Sequence, residues 1–281
     1  MSAELTIGAA PGDTLPAHRA LSLDLDARPA VSLDRVLSVA ALSTRHDTKY
    51  LVRLDDLPAL VGRLPHQLAA LDIDGRRLFD YESVYFDTEC LMLYRHHVQD
   101  RRKRYKIRTR SYLHTGDAML EVKLEGWRGQ TVKERLSYDI HCRRELTPEG
   151  RALVDHVVAE AYGSTVPPVD PVLTTAYSRA TLVDVQRGSR LTIDVDLTWS
   201  GSGRAHRAGH LALLESKNPS GRGPVDALLG SLAVRPVSLS KYCLGVALLH
   251  PDTAANPWSR LLRREFGWQR ARTASGTPLD G

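Results

Sequence analysis

Cysteine is scarce: Cys90, Cys142 and Cys243 are the three in 281 residues. They are scattered, with no CxxC spacing. That excludes a zinc knot or a disulfide framework and fits free thiols in a reducing compartment. Long apolar runs are missing too. No stretch approaches the roughly 18 apolar residues that span a bilayer. The first residues carry acid where a secretory signal would carry base and then an apolar block. A soluble cytoplasmic protein is the expectation. Aromatic residues make up 6% of the chain, few for a surface that must stack bases. No period of fixed length repeats, which sets aside solenoids and propellers.

What is present is charge, placed in a pattern. The net charge is +5 and the pI about 9.2, a balance that suits an anionic partner. The excess is modest, so local clustering carries the signal. In a strand, residues two apart share a face. Arg104, Lys106, Arg108 and Arg110 therefore lie on one side of DRRKRYKIRTRSY, with Tyr105 and Ile107 on the other. In LEVKLEGWRGQTVKERLSYDI, Glu121, Lys123 and Glu125 oppose Leu120, Val122 and Leu124, and Lys133 and Arg135 follow two apart. The apolar faces need helices to pack on. The charged faces are either solvated, as one side of an antiparallel sheet is free to be, or enclosed. Like charges held ~4 Å apart repel by ~4 kcal/mol at an effective dielectric of about 20. An enclosed face of this kind needs carboxylates, water or a bound polyanion. Both readings stand at this point.

Length allows one large domain or two small ones, and 42% hydrophobic residues suffice for a substantial core. The pattern predicts a mobile leader over residues 1–30, a main domain over 31–250 and a basic, aromatic tail over 251–281. Val31 to Leu42 reads as a helix capped by Ser32. STRHDTKYLV alternates as a strand. Asp55 is placed to cap a helix running to about Leu68, with Pro58 in its first turn. YESVYFDT reads as a strand, and LMLYRHHV as its extension or partner. LTPEGRALVDHVVAEAYG carries Thr147 as N-cap, Pro148 at the first turn and Gly163 as its stop. VLTTAYSRATLV and SRLTIDVDLTW flank a turn at Gln186–Gly188. In the second of these, Arg190, Thr192, Asp194 and Asp196 share a face. GHLALLESKNP is a strand ending in Glu215 and Lys217, Val225 to Ala233 is helical, and Ser240 caps a helix that begins at Lys241. The last residues read as disordered.

One device recurs: short strands carrying Arg45/Asp47/Lys49, Lys106/Arg108/Arg110, Glu121/Lys123, Lys133/Arg135, Arg179, Arg190/Asp194 and Glu215/Lys217. Arg offers phosphate a planar fork and Lys a compact charge. Carboxylates suit a hard divalent cation bridging protein and phosphate oxygens. This inventory is the one phosphoryl transfer needs.

In order, the motifs R-x-D-x-K-Y, YFDT, K-I-R-x-R-x-Y, L-E-V-K, K-x-R, Y-x-R, R-x-T-I-D, L-E-x-K and S-K-Y resemble the VTC domain family. These are polyphosphate polymerase domains of the vacuolar transporter chaperone type, within the CYTH-like triphosphate tunnel metalloenzyme superfamily. The resemblance runs from about Leu42 to His250. It implies an α+β fold: a closed antiparallel β-barrel of about eight strands, a triphosphate tunnel, with helices packed outside. It implies ATP and polyphosphate or triphosphate as ligands, Mn²⁺ or Mg²⁺ as cofactor, and transfer of the γ-phosphate of ATP to a growing polyphosphate chain. By motif, Lys49, Arg108, Arg110, Lys123, Lys133, Arg135 and Lys241 would be the catalytic phosphate ligands. Arg179 and Arg190, with Arg45, Lys106 and Lys217 from the charge pattern, would bind substrate. Glu215 would hold the metal, with Glu121 a second candidate. Alternatives on the same scaffold are a triphosphatase, with water as acceptor, and a non-catalytic polyphosphate or inositol-phosphate binding module.

The chain departs from the family pattern where Asp47 stands for the usual Glu and Ser216 for an apolar residue. Leu211 and Leu213 share the face of Glu215, which predicts an apolar end or a bulge. Glu121 has a second reading, orienting Lys123. Asp194 has one as a partner of Arg190 or a neighbour. His46, His96, His97 and Tyr242 read as surface or packing residues, and Asp139 and His141 as a strand continuation without chemistry. Export of a polymer would call on a membrane-protein partner. Nucleic acid ranks behind phosphate, because Tyr105 alternates away from the central cations and single-strand readers interleave the two. The tail, with Trp258, Leu261, Leu262, Phe266 and Trp268 among arginines, is expected to pack on the barrel.

Overall fold

The computed structural model describes residues 15–41, 46–125, 131–219 and 221–271. In chain order the first elements are α1 (Leu15–Asp26), β1 (Ala30–Val31), α2 (Leu33–Ala41), β2 (His46–Arg53), α3 (Leu57–Val61) and β3 (Ala69–Leu71). Then come β4 (Leu78–Asp87), α4 (Met92–Val98), β5 (Tyr105–Tyr112), β6 (Asp117–Glu125), β7 (Thr131–Tyr138) and α5 (Pro148–Tyr162). The last are β8 (Asp170–Asp184), β9 (Ser189–Gly201), β10 (Arg204–Ala208), β11 (Leu211–Asn218), α6 (Pro224–Ser231), α7 (Lys241–Leu249) and α8 (Ser259–Phe266).

The fold is α+β around one large antiparallel sheet. Its main path runs β2-β11-β9-β8-β4-β5-β6-β7, with β1, β3 and β10 attached at the side. Eight strands on that path match the expected number. The expected closure by hydrogen bonds is not made: among the described residues no ladder joins β2 to β7. The outer edge of β2 is met instead by the segment ahead of α7, where the Val237 amide donates to the Lys49 carbonyl (2.8 Å).

Alternation decides what each strand buries. The outward residues of β2, β8, β9 and β11 (Tyr50, Val52, Leu182, Ile193, Leu214) pack with Leu57, Leu60 and Val61 of α3 and Leu229 of α6. Within the stretch expected as a leader, α1 sends Leu21 and Leu25 into this same cluster. The outward residues of β4 to β6 (Val84, Ile107, Leu120, Val122) cover Val154 and Val158 of α5. That helix has the predicted ends: Thr147 Oγ1 accepts from the Gly150 amide (3.2 Å), and Gly163 takes the left-handed conformation at its C-terminus. The third cluster joins α7, α8 and the inner faces of β8, β9 and β11, including Leu173, Trp199, Leu211 and Leu213. This is the apolar end predicted for the Glu215 face. The tail packs into it: Leu262 is fully buried, and Trp268 Nε1 donates to the Ala247 carbonyl (2.8 Å).

Some expectations need correction. LMLYRHHV is the helix α4, because the strand before it supplies the cap. The Asp87 carboxylate accepts from the amides of Leu93 (2.8 Å) and Tyr94 (2.9 Å), and Thr88 Oγ1 from that of Met92 (2.9 Å). The helix expected from Asp55 to about Leu68 is five residues after a 3₁₀ turn, with no side-chain cap, and it ends at Gly62. Asp139 does not extend β7; its carboxylate accepts from the His141 amide and opens a 3₁₀ turn. Asp196 leaves the face of Asp194. It sits at φ 54° where the β8–β9 register shifts, and residues 196–197 oppose Tyr177. Beyond this bulge parity reverses, so Leu197 and Trp199 turn into the third cluster.

Candidate functional site

Register places the predicted cations on one face. Arg110, Arg108 and Lys106 stand opposite Met119, Glu121 and Lys123, which stand in turn opposite Ser137, Arg135 and Lys133. Across the sheet, Arg179 pairs with Asp194, Thr192 with Glu215, Glu215 with Lys49, and Lys217 with both Arg190 and Asp47. Arg45 lies outside the described residues.

The face is concave. Lys49 belongs to β2 and Lys106 and Lys123 to β5 and β6, far apart along the sheet path, yet Lys49 acts on both of the others. Burial pushes the Lys106 ammonium below its usual range, and Lys49 and Arg108 add to the effect. Burial, Lys106 and Lys49 together push Lys123 down to about 8. Only a sheet that curls brings these charges within Coulombic reach. Lys133 is pushed down to about 7 by burial above all, which Glu121 opposes and Arg108 and Arg110 reinforce.

Glu121 has a side-chain exposure of 1% and sits under three cations. Arg108 reaches Oε2 through Nη2 (2.6 Å) and Nε (2.7 Å), Arg135 Nε lies 3.4 Å from Oε1, and Lys133 Nζ binds Oε1. Burial would raise its pKa, but Arg108, Arg110 and Lys133 hold the carboxyl well below the usual range. It orients cations as one reading expected, but not Lys123. Cross-strand neighbours stand closer than a residue two along the same strand.

A second knot joins Asp194, Arg179 and Lys241. Arg179 clasps Asp194 through Nε (2.6 Å) and Nη2 (2.8 Å), and Lys241 Nζ reaches Oδ2 (2.5 Å). Asp194 thus pairs across the strand, not with Arg190. Lys241 gets there because Ser240 Oγ accepts from the Cys243 amide and starts α7 at that point. At the third knot, Lys217 Nζ meets Glu215 Oε1 (3.0 Å) and Asp47 Oδ2 (2.5 Å), and Lys49 Nζ lies 3.7 Å from Glu215 Oε1. Glu215 is half-buried, and against the cost of that burial Lys217, Lys49, Arg179 and Lys241 keep it ionised well below the usual carboxylate range.

The pattern reading missed an aromatic and hydroxyl lining. Tyr81 stacks on Tyr177 (5.5 Å, 4°), with the Arg179 guanidinium over both rings and Lys241 Nζ 4.4 Å from the Tyr177 centroid. Tyr85 OH accepts from Arg108 Nη1 (3.0 Å). The signal was the two-residue spacing of Tyr81, Ser83 and Tyr85 in YESVYFDT. These tyrosines stand among the cations, unlike Tyr105, but they are buried, so they offer no exposed stacking platform. Ser83 Oγ, Thr175 Oγ1, Tyr177 OH and Thr192 Oγ1 are buried on this face without a hydrogen-bond partner among the described residues, as is Arg110 Nε. Polar groups buried in this way call for a ligand or water. The packing readings hold elsewhere: burial above all pushes His97 down to about 3, leaving it neutral beside the Tyr105 carbonyl, and Tyr242 OH donates to Asp87.

Among the described residues no group of three or more His, Cys, Asp or Glu side chains comes together, so there is no all-protein cation cage. An ion of the Mg²⁺ kind takes one or two carboxylates and leaves its other positions to water and phosphate. Glu121 is committed to three cations. Glu215, ionised, with its ion pairs to Lys49 and Lys217 both at Oε1, is the donor that fits such a site.

No curated protein matches the sequence. Solved structures with a similar fold are the PH1012 protein of Pyrococcus horikoshii OT3 (12% identity, 71% of this chain and 99% of that one, TM-score 0.41) and HpAC1 of Hippeastrum, described with a dominant triphosphatase activity (14%, 73% and 96%, TM-score 0.46). A conserved hypothetical protein of Pyrococcus furiosus matches at 12% identity over 71% of this chain and 99% of that one, TM-score 0.39. Likeness at this level carries no argument about chemistry. The VTC domain family model, by contrast, matches residues 44–250, most of the chain and the whole span that carries the charged strands. This protein is a member of the VTC domain family.

Proposed function

We propose that the curled sheet encloses a string of phosphoryl groups and that the protein is a polyphosphate polymerase, transferring the γ-phosphate of ATP to the end of a polyphosphate chain. The observation that carries the reading is the convergence of Lys49, Lys106 and Lys123 from distant strands. Lys49 disfavours the charge of both Lys106 and Lys123, against the partial help of Glu125 and Glu215, and such a cluster of cations suits a polyanion. Family membership supports the same ligand class.

In this reading Arg108 and Arg110, oriented by Glu121 and Tyr81, and Arg179, oriented by Asp194, align donor and acceptor phosphates. Lys49, Lys106, Lys123, Lys133 and Lys241 gather charge on the transferred group. Arg135, Arg190 and Lys217 extend the lining. Tyr177 and the hydroxyls of Ser83, Thr175 and Thr192 donate hydrogen bonds to phosphate oxygens. No protein nucleophile is needed, because the acceptor is itself a phosphate. Glu215 would hold Mn²⁺ or Mg²⁺, and such an ion supplies charge neutralisation at phosphate oxygens when bound. The test is incubation with ATP and Mn²⁺ or Mg²⁺. ADP and a long acid-labile polymer are expected. Free phosphate from tripolyphosphate without polymer would make it a triphosphatase. Tight polyphosphate binding with neither product would make it a binding module.

A further inference from the structure

One strongly charged patch lies outside the curled face. Between α4 and β5 the chain reads Asp100-Arg101-Arg102-Lys103-Arg104. An open depression of about 660 Å³ is lined there by His96, Gln99, Asp100, Arg101, Arg102 and Lys103. Its acid is engaged elsewhere: Asp100 Oδ1 pairs with Arg104 Nη2 (3.1 Å), and Arg104 also reaches Glu125 (3.5 Å). Arg101 and Lys103 are held by neutral acceptors, Gln99 Oε1 (3.0 Å) and the Tyr162 carbonyl (2.7 Å). Their charge is therefore positioned but not neutralised. All three residues, 101 to 103, are exposed.

The patch is continuous with the lysine end of the curled face. Half-buried His97, beside the Tyr105 carbonyl that leads into Lys106, is kept neutral by burial and then by Lys106, Arg104 and Lys123, so these cations lie within Coulombic reach of one ring. Arg102 precedes Lys106 by four residues, at most ~14 Å of extended chain. A short triphosphate centred on the curled face has no charge to spare for the patch. A chain of many phosphoryl groups does.

We propose that Arg101, Arg102 and Lys103 form an exosite for long polyphosphate, selecting it over tripolyphosphate and receiving the part of the chain that leaves the curled face at Lys106. The proposal rests on the reading that this face binds phosphoryl chains. Surface cations of this kind act through the summed field and are screened by salt. The experiment compares the full chain with the triple variant Arg101→Gln, Arg102→Gln, Lys103→Gln. Binding of tripolyphosphate, long-chain polyphosphate and a single-stranded RNA of matched phosphate count is measured at low and high salt. Expected is an affinity loss of about tenfold or more for long-chain polyphosphate at low salt, a shallower salt dependence, and tripolyphosphate affinity within about twofold. An unchanged preference for the long chain over tripolyphosphate would overturn the exosite alone. An equal loss for RNA would also overturn it, by showing a patch indifferent to polyanion class. Failure of the unaltered protein to bind tripolyphosphate would overturn the curled-face reading itself, and the exosite with it.

Discussion

Replacing Glu121 by Gln keeps the side chain's shape and removes the one charge that holds Arg108, Lys133 and Arg135 together. Removing one partner of a buried ion pair costs about 3–5 kcal/mol. Here Arg135 has 51% side-chain exposure and Lys133 25%, so water screens part of the loss, and the lower end, ~3 kcal/mol, applies. At roughly 2–4 °C per kcal/mol for a chain of this size, the ligand-free melting temperature should fall by about 6–12 °C. The same change leaves the face more positive and its cations more available. A ligand that binds only the folded form adds about 2.7 kcal/mol at a hundredfold excess over its dissociation constant. Tripolyphosphate should therefore raise the melting temperature more in Glu121→Gln than in the unaltered protein, while sulfate at equal ionic strength does little for either. The assay is thermal unfolding with and without each anion. A tripolyphosphate shift in the variant no larger than in the unaltered protein would show that the Glu121 cations do not face the anion, and the reasoning would fail.

Glu215→Ala should lower turnover by about 100-fold, on the scale of losing one electrostatic stabiliser, while tripolyphosphate affinity stays within about threefold, because Lys49 and Lys217 lose a competing carboxylate. An unchanged rate would remove Glu215 from any metal role. Lys133 and Lys123 titrate at about 7 and about 8 in the free fold, and a bound polyanion favours their charged forms. Binding then takes up protons, so tripolyphosphate affinity should fall as pH rises from 7 to 9; calorimetry in buffers of different ionisation enthalpy reads the uptake directly. Both lysines hold fewer protons folded than unfolded in this window, so they make ligand-free stability rise with pH. An affinity flat across that range would sink the assignment.

The charged strands were legible because alternation is a local property: once Lys106, Arg108 and Arg110 are in a strand, they share a face whatever the rest of the chain does. The caps at Thr147 and Ser240 were legible for the same reason, since a side-chain oxygen two or three residues from its amide needs no tertiary help. That strands of both ends would gather these cations on one face followed from nine motifs in order, not from any one of them. What sequence could not supply were decisions made between distant segments. LMLYRHHV has no helical signal of its own strong enough to win. It is helical because Asp87, at the end of a strand, is held where its carboxylate meets two amides. The bulge at Asp196 reverses the parity of β9 because Trp199 has a place waiting against α7, where its Nε1 donates to the Lys241 carbonyl. Which cation each carboxylate takes is likewise a matter of register: Glu121 meets Arg108 and Arg135 because pairing of three strands puts them side by side. Alternation chooses a face from the chain alone, but curvature and register, which turn that face into a site, are set by how the sheet packs on helices far away in sequence.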